Sequence, residues 1–206
     1  MGRRSYYVVG IAGVAVLAGA VAWNVIGATD QLGRSSKPTA AAESNFAEVR
    51  KLAESKDPAA EYRLAHMYAS ANGVDASKKQ SLAWLERAAE HGSAEAQYEW
   101  GNALREGSGV VQDYERAAKW LQLAAEQGNA DAQYTLGQSY RAGMGVPVDN
   151  AKAYMWFNLA AAQEFPGAAA QRDLVLRLLL PAQVLEAQAD ARRMSDAVAR
   201  QSAPPK

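Results

Sequence analysis

The sequence predicts an all-α protein, an α-solenoid of stacked helix-turn-helix repeats with an N-terminal transmembrane helix. Three observations carry this reading. Trp84, Trp120 and Trp156 stand 36 residues apart, and Tyr62, Tyr98 and Tyr134, Gly73, Gly109 and Gly145, and paired alanines such as Ala88-Ala89 and Ala124-Ala125 share the interval. Between these landmarks apolar residues follow the spacing of one helix face, broken by glycine-rich turns. Residues Tyr6 to Ala28 contain no charged side chain. A fixed period of roughly 20–50 residues is the signature of a solenoid whose units stack to share a core.

Taken in order, residues 1–28 form the membrane anchor or signal segment. Arg3-Arg4 precede the uncharged run, which as a helix is about 34 Å long and can cross a hydrocarbon core of about 30 Å. Tyr6, Tyr7 and Trp23 near its ends suit the membrane interface, and the leading arginines place the repeats on the far side of the cytoplasmic membrane. The alternative is a signal peptide cleaved near Ala20-Val21-Ala22, which would release a periplasmic or secreted protein. Residues 29–44, rich in turn formers, read as a flexible linker.

Residues 45–57 read as a capping helix. Subtracting one period from Leu85, Ala88 and Ala89 gives Val49, Leu52 and Ala53, the worn-down second helix of an incomplete leading copy. The repeats follow at 58–93, 94–129 and 130–165. In the middle copy Ala96, Trp100, Gly101 and Leu104 make one apolar stripe. Gly107 ends that helix, and Asp113 opens the next as an N-cap. Ala117, Trp120, Leu121, Ala124 and Ala125 then form its core face, so Trp120 is expected among the most important core residues. Residues 166–200 read as two C-terminal capping helices, Pro166 to Leu179 and Pro181 to Arg200, and 201–206 as a disordered tail.

The string A-x-Y-x-x-G-x-x-x-x-x-G-x-G-V, a following Asp, then A-x-x-W-x-x-x-A-A-x-x-G resembles the Sel-one-like repeat (SLR), a helical relative of the tetratricopeptide repeat. Ala94 to Asn129 match nearly throughout. The first copy departs at Ala65 and Ala71, the third at Glu164-Phe165-Pro166. The resemblance implies an adaptor protein, as in envelope assembly, signalling regulation, secretion or host contact.

Net charge is zero overall, split as +3 in residues 1–40 and −3 in the rest, so nothing points to nucleic acid. Cysteine is absent, which excludes disulfides, thiolate metal sites and a cysteine nucleophile. The two histidines, His66 and His91, occupy repeat slots filled elsewhere by Asn102 and Gln138, and by Gln127 and Gln163, and read as polar surface variants. No cofactor, metal or catalytic set is expected. The glycine turns lack the strand and the Gly-Lys-Ser/Thr of a phosphate loop.

The expected function is a membrane-anchored protein–protein interaction scaffold or regulator in the bacterial envelope, with the periplasm-facing repeats binding another protein or peptide. The cleaved regulator is one alternative; a cell-wall-related enzyme is a remote one. In related solenoids the first helix of each pair lines the concave face, so recognition falls where copies differ. The stripes Arg63, His66, Met67, Ser70; Glu99, Asn102, Ala103, Glu106; and Thr135, Gln138, Ser139, Ala142 are the tentative protein-binding positions. They read equally as an ordinary solvated face.

Overall fold

In the computed structural model of the chain, residues 39–201 are described. The expected anchor Tyr6–Ala28, most of the expected linker and residues 202–206 lie outside them. Among the described residues no helix is long and apolar enough to cross a membrane. Nine helices are described: α1 Ala40–Glu54, α2 Pro58–Ser70, α3 Lys78–Glu90, α4 Ala94–Glu106, α5 Tyr114–Glu126, α6 Ala130–Ala142, α7 Asn150–Ala162, α8 Ala168–Leu176 and α9 Pro181–Gln201.

The sequence starts and stops these helices with the same devices in each copy. Asp57, Ser93 and Asn129 cap the first helices, and Ser77, Asp113 and Asp149 cap the second. Each side-chain oxygen accepts the backbone N–H three residues on, one of the donors a helix start leaves unpaired. The first helices end in the left-handed region at Ala71 (φ 56°), Gly107 (70°) and Gly143 (72°). Glycine adopts this conformation freely, whereas Ala71 bears a strain of about 1 kcal/mol. Turn glycines also mark the closest approach between copies. A Cβ on Gly145 would stand 1.9 Å from the Tyr114 carbonyl oxygen, and one on Gly73 would stand 2.2 Å from that of Ala42.

The first departure from the sequence reading lies at the leading cap. The helix expected at 45–57 begins at Ala40, because Thr39 caps it by accepting the Ala42 N–H at 3.3 Å. Residues 40–44 are therefore helix, not linker. Val49 and Ala53 still face the first full copy, packing with Ala60, Leu64 and Met67 of α2.

Helices pack with their chain neighbours, first on second within a copy and second on the next first. Each first helix thus has two buried rows, one toward the preceding copy (Ala60, Leu64, Met67 in α2) and one toward its own partner (Ala65 beside Leu85 and Ala88). The pattern breaks at the C-terminal end. The helix expected from Pro166 shrinks to Ala168–Leu176, entered through Gly167 at φ 79° with no side-chain cap. Instead of pairing with α8, α9 packs on α7. Ala187 and Ala191 join the Trp156 cluster, and Val198 reaches the α5–α6 turn at Gly128.

This long helix explains an asymmetry among the repeat tryptophans. Trp156 is 3% exposed, while Trp84 and Trp120 are only half-buried. The expectation that Trp120 sits deep in the core is corrected accordingly. Helix α9 covers the outer side of the third copy and leaves the same positions of the first two to solvent. Arg87 compensates at Trp84, its guanidinium carbon 4.1 Å from the ring centre.

Candidate interaction site

The stripe positions divide into open and closed sets. Arg63, His66, Ser70, Glu106 and Ala142 are exposed, and Glu99, Asn102 and Gln138 are half-buried. Met67, Ala103 and Ser139 are buried in their respective copies, as is Thr135. Thr135 and Ser139 are therefore withdrawn as surface contacts, while Met67, 6% exposed, reaches only the floor of the depression beside Arg63 and His66. Met67 packs against Val49 and Ala53, in the row that faces the preceding copy. Ser139, at the same repeat position, satisfies its hydroxyl by donating to the Thr135 carbonyl at 3.1 Å. The i+4 position of the stripe points inward because two buried rows leave only a narrow open strip on each first helix.

On that strip the structure brings together Tyr62, His66 and Glu99. The Tyr62 hydroxyl donates to Glu99 Oε1 at 2.6 Å, and His66 Nε2 lies 3.2 Å from the same oxygen. The Tyr62 and His66 rings meet edge to face, centroids 4.6 Å apart. Burial, and then the hydrogen bond to the Glu99 carboxylate, push the Tyr62 phenol well above its ordinary pKa, so it stays a neutral donor. The three side chains form a ridge between two depressions. One, of about 320 Å3, is lined by Asn45, Arg63, Met67, Ser70 and Asn72 beside Tyr62 and His66. The other, of about 590 Å3, lies where α2, α3 and α4 meet, with Tyr68, Leu82 and Leu85 below and Lys78, Asn102 and Glu106 around it. Glu99 walls this second depression. Arg105 holds Asn102 Oδ1 at 3.1 Å and Glu106 Oε1 at 2.8 Å, which orients both side chains. Apolar floor with a polar, mixed-charge rim is chemistry suited to side-chain recognition. Among the described residues no three His, Cys, Asp or Glu side chains gather as a metal site would require.

Sequence reasoning missed a second polar feature, internal to the array. Gln97 donates through Nε2 to the Ala89 carbonyl at 3.1 Å and accepts from Gln127 Nε2 at 2.7 Å. One period on, Gln133 donates to Ala125 at 3.1 Å and accepts from Gln163 at 2.9 Å. In the first copy the same two slots hold Glu61 and His91. Glu61 is fully buried, with His91 Nδ1 2.5 Å from Oε2 and Arg87 Nη2 3.0 Å from Oε1. The Arg87 contact is ionic and poorly aligned as a hydrogen bond. His91 is thus the partner of a buried carboxylate, not a simple surface variant. The signal was present in the sequence: both slots change together, from Gln and Gln to Glu and His.

Comparison with known proteins matches the Sel1 repeat to residues 58–93, 94–129 and 130–165. Among solved structures, a Sel1 repeat protein from Oxalobacter formigenes is 43% identical over 65% of this chain and 38% of that one, with a TM-score of 0.63. A protective antigen of uropathogenic Escherichia coli displaying an SLR fold is 28% identical over 78% of this chain and 44% of that one, with a TM-score of 0.49. The chain spans less than half the length of either structure. No curated protein matches.

Proposed function

The chain belongs to the Sel1 repeat family, and from that premise we propose that it is a membrane-anchored interaction scaffold of the bacterial envelope, binding a segment of another protein along the open strip of α2 and α4. The observation that carries the binding site is the Tyr62–His66–Glu99 ridge with its two flanking depressions. It sits where the copies differ most: Arg63, Glu99 and Thr135 share one repeat position, as do His66, Asn102 and Gln138. The protein works by holding its partner, without turnover. Anchoring rests on sequence alone: Arg3-Arg4 followed by the uncharged run Tyr6–Ala28.

Exchanging charges at Arg63→Glu with Glu106→Arg inverts the local pattern at constant net charge. Both residues are exposed, so helix content and melting temperature should hardly change. Proteins co-purifying with the full-length chain from its own cells should fall by about tenfold, since complementary charge selects partners. The same exchange on the outer side of α5, Glu115→Lys with Lys119→Glu, should leave co-purification unchanged. Equal losses from both exchanges, or none from either, would contradict the assignment. For the anchor, a reporter active only in the cytoplasm and fused after Lys206 should be silent; strong activity refutes the outward topology.

A further inference from the structure

The array ends differently at its two termini. Leu174, Leu176, Leu178, Leu180 and Leu185 are each between 38% and 68% exposed. All five fall at the end of α8, in the turn after it and in the first turns of α9. Helix α8 stands on α7 where the first helix of a fourth copy would stand, but no second helix covers it, because α9 packs on α7. Val175 and Leu179 turn inward to the core, which leaves the leucines on either side facing out. The opposite end is sealed: the exposed surface of α1 carries Glu43, Glu48, Arg50, Lys51 and Glu54 beside a single large apolar residue, Leu52.

We propose that this leucine edge joins two copies of the chain about a two-fold axis. Stacking head to tail would press the leucines onto the charges of α1 and strip those charges of water, at a cost that the apolar gain does not offset. Edge against edge buries like with like, and the contact closes at two copies. The flanking charges suit this symmetry. Arg172 and Arg193 are taken up by Asp173 and Asp190. Arg177 and Glu186 are exposed and have no ion-pair partner among the described residues. Arg177 stands between Leu176 and Leu178 and Glu186 follows Leu185, so a two-fold can set each Arg177 against the other copy's Glu186. Leu174 and Leu176 lie on opposite sides of Val175, so one contact takes up only one of them; Leu178, Leu180 and Leu185 alone expose on the order of 350 Å2 per copy, against the roughly 800 Å2 that each partner buries in a standard interface.

The test uses the full-length chain in a mild non-ionic detergent. Sedimentation should give a dimer. Leu178→Glu with Leu185→Glu should weaken it by about tenfold or more while helix content stays constant. Arg177→Glu alone should weaken it, and adding Glu186→Arg should restore it. Since the chain has no cysteine, Leu178→Cys supplies a single thiol that should cross-link between copies on mild oxidation. Leu123→Cys, on α5 and 45% exposed, should not. A monomer throughout, a dimer indifferent to the leucine changes, or equal cross-linking from both thiols overturns the proposal. So does leucine-dependent binding to phosphatidylcholine vesicles by a chain otherwise monomeric, which would make lipid the occupant.

Discussion

Trp156→Ala is expected to lower stability by about 3–5 kcal/mol, as truncation of a fully enclosed aromatic does. The indole, 3% exposed, belongs to the buried cluster that Ala187 and Ala191 of α9 join, with α6, α8 and α9 packed around α7. Removing it leaves a cavity that three neighbouring helices cannot fill. Trp120→Ala, at the identical repeat position, should cost only about 1–2 kcal/mol, because half-buried apolar surface returns less on burial. Chemical denaturation of the two variants side by side gives the comparison. Equal costs, or a larger cost at Trp120, would show that α9 does not seal the third copy.

The second large effect concerns Glu61 and His91. His91→Ala leaves a fully buried carboxylate with one poorly aligned cation, and should cost about 2–3 kcal/mol. That is below the roughly 3–5 kcal/mol of a completely enclosed pair, since Arg87 remains and water reaches the site. Changing both slots, Glu61→Gln with His91→Gln, reproduces the arrangement of the next two copies. The amide introduced in place of Glu61 would donate to the Ala53 carbonyl as Gln97 donates to Ala89. It would accept from the amide introduced in place of His91, as Gln97 accepts from Gln127. The double variant should therefore lie within about 1 kcal/mol of the natural chain. A double variant as damaged as the single one would mean that the first copy does not share the ladder of the others.

The helices of the repeats were readable because their signals are local and repeated. The cap at Asp113, turn glycines and apolar spacing each act within a few residues. What escaped depends on neighbours in space. Five extra residues at the start of α1 follow from Thr39, whose capping role needs the helix to exist before it shows. Trp120 and Trp156 look identical along the chain and differ only because α9 folds back over one of them. Of the expected binding positions, Arg63, His66, Glu99, Asn102, Glu106 and Gln138 reach the open strip to differing degrees. Thr135 and Ser139 do not, and Met67 reaches only the floor of one depression, because a solenoid helix is buried on two sides and a one-stripe reading allows for only one. Along the chain Tyr62 is marked only by its 36-residue recurrence. Its hydroxyl nevertheless holds Glu99, a contact between copies that periodicity hides.

The central claim is that a partner protein lies along α2 and α4. A photo-reactive amino acid placed singly at Arg63, Asn102, Glu106, Lys119 or Leu123 of the full-length chain, and activated in living cells, addresses it directly. The account predicts that Arg63, Asn102 and Glu106 capture one and the same protein, while Lys119 and Leu123 on α5 capture none of it. Capture of that protein mainly from Lys119 and Leu123 would place the binding face on the second helices and contradict the account.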